Sequence, residues 1–317
     1  MEDKFLVSFW PHIYDKDSIS RIMWTVFLCL ILSGIAGVYF FGLHALLLIF
    51  VAIITALTTE GLIQYFRKKR ITILDGSAAL TGLLVVYNLP PQVPFWIPIV
   101  GSFFAIAFVK QAFGGLGRNI FNPALSARVF LLLAWPKYMT TFVAPAGSVD
   151  ALTSATPLTL FKESNIGLSQ MGLSYWDLFL GRRPGCIGEV AIIWLLLGAA
   201  ILLFLRIITW HIPFSYILVL AGLSWMFDKN GLFKGDILFC LMSGGVILGV
   251  FFMATDYVTS PLTKRGKIIF GAGCGLLTFI IRRFSGYPEG VSFSILIMNA
   301  FVPLIDRYLK PRIYGKK

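Results

Sequence analysis

The feature that most constrains this chain is a succession of long apolar runs, beginning with Ile22–Phe41 and Leu43–Phe66 and ending with Ile268–Ile281 and Val291–Leu304. Between them lie Ala78–Leu89, Phe95–Phe113, Ala124–Trp135, Val190–Ile208, Pro213–Met226 and Gly235–Ala254. A helix crossing the ~30 Å hydrocarbon core of a bilayer needs about 20 such residues. No soluble core built from 317 residues hides so many of them. The side-chain balance agrees: 57% of residues are apolar and 13% charged, against roughly a quarter charged in soluble domains. These runs predict an all-α fold, a polytopic membrane helical bundle of about ten spans. Several runs are too short to cross alone, so their helices are expected to be broken, or extended by irregular backbone buried in protein.

Orientation follows from lysine and arginine, which favour the cytoplasmic side of short loops. The start, Met1-Glu2-Asp3-Lys4, carries acids where a signal peptide carries bases, and no small-residue cleavage site follows promptly. The first span is therefore expected to be retained. Placing the N-terminus inside puts Arg67-Lys68-Lys69-Arg70, Lys264-Arg265-Gly266-Lys267 and the C-terminal lysines and arginines inside as well. Both termini are then cytoplasmic, and the connection from Pro136 to Gly188 lies outside. The formal charge of +12 is mostly this bias, with the anionic lipid of the bilayer as its partner. Nucleic acid is a poor explanation.

Each half also contains a basic loop, a short Gly-rich helix, a turn and a second short apolar helix. In the first half these are Arg67–Arg70 through Leu89-Pro90-Pro91, then Gly114-Gly115-Leu116-Gly117-Arg118-Asn119 before Phe121-Asn122-Pro123-Ala124. In the second they are Lys264–Lys267, then Ser285-Gly286-Tyr287-Pro288-Glu289-Gly290 before Met298-Asn299-Ala300. If five spans make one unit, the odd number forces the second copy in upside down, the inverted repeat of many transport folds. The division is 1–135 for the first five-helix repeat, 136–188 for the outer loop and 189–317 for the second repeat. Close packing of short Gly-rich helices is the competing explanation.

The chemical inventory is thin. His12, His44 and His211 are scattered, Cys29, Cys186, Cys240 and Cys274 are isolated, and no spacing resembles a metal site. There is no Walker loop and no dinucleotide fingerprint, so soluble redox partners must be separate chains. Acids in or beside apolar spans are expensive and need a reason. Glu60 lies inside the second run, Asp256 follows Phe251–Thr255, and Asp306 follows Pro303-Leu304-Ile305. They are candidates for a cation path. Capping of helix ends, or pairing with Lys264 and Arg307, is the alternative for Asp256 and Asp306.

One stretch of the outer connection is rich in hydroxyls: Asp150-Ala151-Leu152-Thr153-Ser154-Ala155-Thr156-Pro157-Leu158. Such a cluster before proline is most often an ordinary turn, its hydroxyls bonded to nearby backbone. A threonine in an external turn can also accept a phosphoryl group as a phosphoester. Spacing alone leaves both readings open.

Lys110 through Ala124, Gly185-Cys186-Ile187-Gly188-Glu189, Phe251 through Asp256, Gly286 through Gly290 and Thr153-Ser154-Ala155-Thr156 together resemble the D subunit of the Rnf ion-translocating electron transport complex. They also resemble its sister, the B subunit of the sodium-translocating NADH:quinone reductase. The resemblance covers nearly the whole chain. It implies a urea-transporter-like fold in a bacterial inner membrane, with covalent FMN on the last threonine of a Ser/Thr-Gly-Ala-Thr motif. That threonine is Thr156. Thr153 and Ala155 match the motif, and Ser154 stands where glycine is usual. It further implies noncovalent riboflavin near Asn119 and Asn122, a flavin transferase for maturation, and the A, B, C, E and G subunits of the Rnf complex as partners. The implied role is a subunit, inactive alone, of a ferredoxin:NAD oxidoreductase that couples electron relay to Na⁺ or H⁺ translocation. The alternatives are a B-type quinone reductase subunit, a passive small-solute channel of the same fold, and an assembly scaffold.

Overall fold

The computed structural model describes residues 18–143, 153–154, 156–164, 171–228, 231–287 and 289–310. These residues are mostly helical, with strand confined to two-residue pairings. Helix α1 (Ile19–Phe41) starts at Ser18, whose hydroxyl accepts the Arg21 N–H at 3.2 Å, and stops at Gly42, which takes φ +79°. Helix α2 (Leu43–Phe66) follows that one residue. At about 1.5 Å per residue each is long enough to cross a bilayer. With α14 (Val291–Tyr308), they are the three described helices both long and apolar enough to do so. The protein is a helical membrane protein.

The other apolar helices are short, each for a legible reason. Helix α3 (Ser77–Tyr87) ends at Asn88-Leu89 before Pro90-Pro91, which cannot continue a helix. Helix α4 (Trp96–Phe104) runs on as a π-helical segment, Ala105–Gln111. Helix α5 (Pro123–Ala134) is started by Asn122, whose side-chain oxygen accepts the N–H groups of Ala124 and Leu125. The run Gly235–Ala254 is not one helix. It divides into α11 (Ile237–Met242), a break at Ser243-Gly244-Gly245 with Gly244 at φ +65°, and α12 (Val246–Leu248), which passes into a second π-helical segment, Gly249–Met253. Isolated π-helical turns inside helices cluster at functional sites.

The Pro136–Gly188 connection holds more structure than its polarity predicts. It contains α6 (Pro136–Thr140), a two-residue antiparallel pairing of Phe142-Val143 with Thr153-Ser154, α7 (Pro157–Ser164) and α8 (Tyr175–Leu180). Asp150, Ala151, Leu152 and Ala155 of the hydroxyl-rich stretch lie outside the described residues. Helix α8 is held by a capping box between Ser174 and Asp177, and hydrogen bonds from Ser174 hold the Asp177 carboxyl below its ordinary range. It is tied to α11 by Tyr175 Oη, which donates to Asp236 Oδ2 at 2.5 Å. That bond pushes the phenol up to about 12.

Helices α9 (Ile192–Phe204), α10 (His211–Met226) and α13 (Lys264–Phe284) complete the chain. One large core cluster joins residues from both halves, Leu30, Leu48, Leu83 and Leu125 with Leu195, Tyr216, Phe270 and Ile295. Small residues let α10 and α13 approach closely: a Cβ on Gly275 would lie 2.7 Å from the Tyr216 carbonyl oxygen. Inside that interface Tyr216 Oη, Thr278 Oγ1 and Ser294 Oγ hydrogen-bond one another.

Candidate functional site

Two clefts hold most of the candidate residues. The first, of about 470 Å³ including open space, is lined by Thr156 with Arg128, Phe142, Tyr287, Glu289 and Phe293. Thr156 immediately precedes α7 and is 5% exposed. Its hydroxyl oxygen accepts the Thr159 N–H at 3.3 Å and lies 2.8 Å from Thr159 Oγ1, while its carbonyl accepts the Leu160 N–H. This is an N-cap, so the hydroxyl sits where the helix presents free N–H groups and a positive dipole end. A phosphoryl group on that oxygen would meet favourable charge. The cleft adds aromatic walls and the Arg128 guanidinium, so these residues fit an aromatic phosphoester. Thr153 and Ser154 contribute the short strand that brings Thr156 back beside Phe142. Lys162 fastens the other end of α7 by donating to the carbonyls of Ser285 and Tyr287.

The second cleft, of about 510 Å³ including open space, is lined by Ser77, Lys110, Asn119, Asn122, Phe252 and Asp256, among others. The two asparagines do different work there. Asn122 is committed, because its oxygen caps α5 and its amide donates to the Met253 carbonyl at 3.3 Å. Asn119 donates to the Phe121 carbonyl at 3.4 Å and leaves its Oδ1 buried without a partner among the described residues. A buried bare acceptor calls for a donor. Asn119 therefore fits a ring or ribityl donor, and Asn122 chiefly shapes the wall.

The three acidic candidates fall in different places. Glu60, 1% exposed, accepts hydrogen bonds from Lys110 Nζ at 2.7 Å, Gln111 Nε2 at 2.9 Å and Gln64 Nε2 at 3.2 Å. Lys110 also donates to Ser77 Oγ at 2.6 Å and reaches the wall of the second cleft. Asp256 lines that same cleft and accepts from Thr259 Oγ1 at 3.0 Å. Asp306 stands apart from both clefts and accepts the Leu262 N–H at 3.1 Å.

Sequence reasoning missed Arg128 and its contacts with Asn88 and Glu289. Arg128 donates to Asn88 Oδ1 at 2.7 Å and to Glu289 Oε2, and Asn122 links α5 to the end of the second π-helical segment. The signal was present, since Arg128 is the one basic residue inside the run Ala124–Trp135. Its partner lies 161 residues away.

The model of the NQR2, RnfD, RnfE family matches residues 6–315. The chain belongs to that family. It is 46% identical to the D subunit of a proton-translocating ferredoxin:NAD(+) oxidoreductase complex of Clostridium ljungdahlii, with 99% of this chain and 97% of that protein covered. It is 48% identical to the D subunit of a Na(+)-translocating ferredoxin:NAD(+) oxidoreductase complex of Acetobacterium woodii, with 98% and 95% covered. The D subunit of an ion-translocating oxidoreductase complex of Escherichia coli is 37% identical over 99% of both chains.

Proposed function

We propose that this chain is the D-type membrane subunit of an Rnf-type complex, relaying electrons between reduced ferredoxin and NAD with coupled ion translocation. The observation that carries the proposal is near-full-length identity of 46% and 48% to relatives named for ion-translocating ferredoxin:NAD(+) oxidoreductase complexes. The outer cleft supports a finer reading, in which Thr156 carries FMN through a phosphoester installed by a flavin transferase. The phosphoryl group would rest on the N-terminus of α7, and Arg128, Phe142, Tyr287 and Phe293 would hold the ring system. The flavin supplies one- and two-electron transfer, and the protein supplies tether, orientation and tuning. Asn119 in the second cleft is the residue best suited to a noncovalent riboflavin.

The broken helices around Asn88 and Gly244 support an architecture of about ten spans in two inverted five-helix units. The basic loops support cytoplasmic termini and an outer Thr156. The A, B, C, E and G subunits would dock on this frame. The buried Arg128–Asn88 contact disfavours an open solute channel.

Mass spectrometry of the Thr156 peptide tests the flavin reading. Complex purified from cells that contain the transferase is expected to show this peptide heavier by FMN less water, and Thr156→Ala to abolish the increment while the complex still assembles. An unmodified wild-type peptide overturns it. Glu60, Asp256 and Asp306 are the ion-path candidates; Glu60→Gln is expected to alter the ion dependence of turnover. If ion dependence and electron transfer both stay unchanged, Glu60 is structural.

A further inference from the structure

The back wall of the outer cleft carries charge that a flavin on Thr156 leaves unused. Cys186, Glu189 and Glu289 bring one polar side-chain atom each to within 4.8 Å of one another. Three guanidiniums face them. Arg128 of α5 donates to Glu289, Arg183 donates to the Glu189 carbonyl at 3.2 Å, and Arg282 of α13 borders Gly244 beside Glu289. Glu189 is 2% exposed, and its Oε1 accepts the Cys186 N–H at 3.1 Å. Its Oε2 is buried without a partner among the described residues, and it faces Gly245, where an added Cβ would lie 2.8 Å away.

A bare carboxylate oxygen in a dry interior is costly. A second carboxylate a few ångströms off adds repulsion that favours one shared proton. Arg128 spends its hydrogen bonds on Glu289 and Asn88, so Glu189 receives from it only a longer-range attraction. A divalent metal is a poor fit, since guanidiniums already supply positive charge there. A proton needs one lone pair, and Glu189 Oε2 offers it.

We propose that Glu189 and Glu289 form a proton-binding carboxyl pair behind the Thr156 cleft, with its occupancy set by Arg128. The proposal rests on the reading of Thr156 as the flavin carrier. An electron passed into the cleft from reduced ferredoxin adds one negative charge on the side that Arg128 lines. Arg128 then divides its attraction between that charge and Glu289. The carboxyl pair, less compensated, takes up one proton from hydronium, forming an O–H bond at Glu189 Oε2 and leaving water. When the electron leaves toward NAD⁺, Arg128 returns to Glu289 and the proton departs to water. One electron and one proton enter, and one of each leaves.

Reduced-minus-oxidised infrared difference spectroscopy on the purified complex tests this, with flavin on the Thr156 peptide measured by mass in the same preparation. Reduction is expected to raise a protonated-carboxyl C=O band in the wild type. The band is lost in Glu189→Gln, lost in Thr156→Ala, and restored at a shifted frequency in Glu189→Asp. In Glu189→Gln the flavin potential also moves less with pH than in the wild type. A band that persists in Glu189→Gln or in Thr156→Ala overturns the proposal. So does a wild-type spectrum without it, an arm that depends on no variant folding. A Thr156 peptide without flavin removes the flavin reading and this coupling together; flavin present and the band absent removes the coupling alone.

Discussion

Lys110→Ala is expected to destabilise the protein by about 3–5 kcal/mol, the usual cost of stranding one partner of a buried ion pair. Glu60 and Lys110 are 1% and 2% exposed and 2.7 Å apart. Without the ammonium, Glu60 keeps only the neutral amides of Gln64 and Gln111, which donate hydrogen bonds but do not balance its charge. Ser77 also loses a donor, although its own hydroxyl still donates to Asp75 Oδ1 at 2.6 Å. At roughly 2–4 °C per kcal/mol, the apparent melting temperature of the purified complex in detergent is expected to fall by about 6–20 °C. The double variant Lys110→Met with Glu60→Gln is expected to recover most of that loss, because neutral groups of similar volume often replace a buried pair at little cost. Equal losses in the single and double variants would show that the charge is not the cause.

Gly188→Ala is expected to cost about 3 kcal/mol or more, at or beyond the upper end of overpacking effects, and to reduce the yield of assembled complex sharply. The segment Ile187-Gly188 is pinned on two sides. Gly188 N–H donates to the Tyr87 carbonyl and Ile187 N–H to the Leu89 carbonyl, each at 3.1 Å, while Ser33 Oγ donates to the Gly188 carbonyl at 2.7 Å. An alanine Cβ there would overlap the Tyr87 ring. Tyr87 cannot swing aside freely, because it is fully buried and its hydroxyl donates to the Leu30 carbonyl at 2.8 Å. Tyr87→Leu keeps the Cβ and Cγ that crowd the added carbon, so in the Gly188→Ala background it is expected not to restore the yield. Gel-filtration profiles of the single and double variants check this, and recovery in the double variant would place the fault in the outer ring atoms of Tyr87 instead.

Much of the helical framework was readable along the chain. The run Leu43–Phe66 is α2 residue for residue, and Ile22–Phe41 and Val291–Leu304 fall inside α1 and α14. Turn chemistry also located breaks, as with Pro90-Pro91 after α3. The run Gly235–Ala254 misled, because hydropathy integrates over a break that a single residue, Gly244, makes by taking a left-handed conformation. The Pro136–Gly188 connection misled in the other direction. Its polarity concealed three short helices, and its last residues are drawn into the interior against α1 and α3.

At the site, the hydroxyl-rich stretch and the acids beside apolar runs were visible, but their partners were not. Thr156 was singled out as a hydroxyl, yet its place at the start of α7 facing Arg128 depends on the Phe142–Ser154 pairing that closes the loop. Glu60 was conspicuous as an acid inside an apolar run, and only packing set Lys110 against it.

The sequence by itself determined that this is a helical membrane protein and where its longest helices run. Those are properties of hydropathy and turn chemistry, which act between near neighbours. The tertiary structure decided which buried charges meet: Glu60 with Lys110, Arg128 with Glu289 and Asn88, Glu189 with the start of α12. In a dry interior a charge is stable only beside a specific partner. Partners 50 and 161 residues apart come together only when the helices between them have packed.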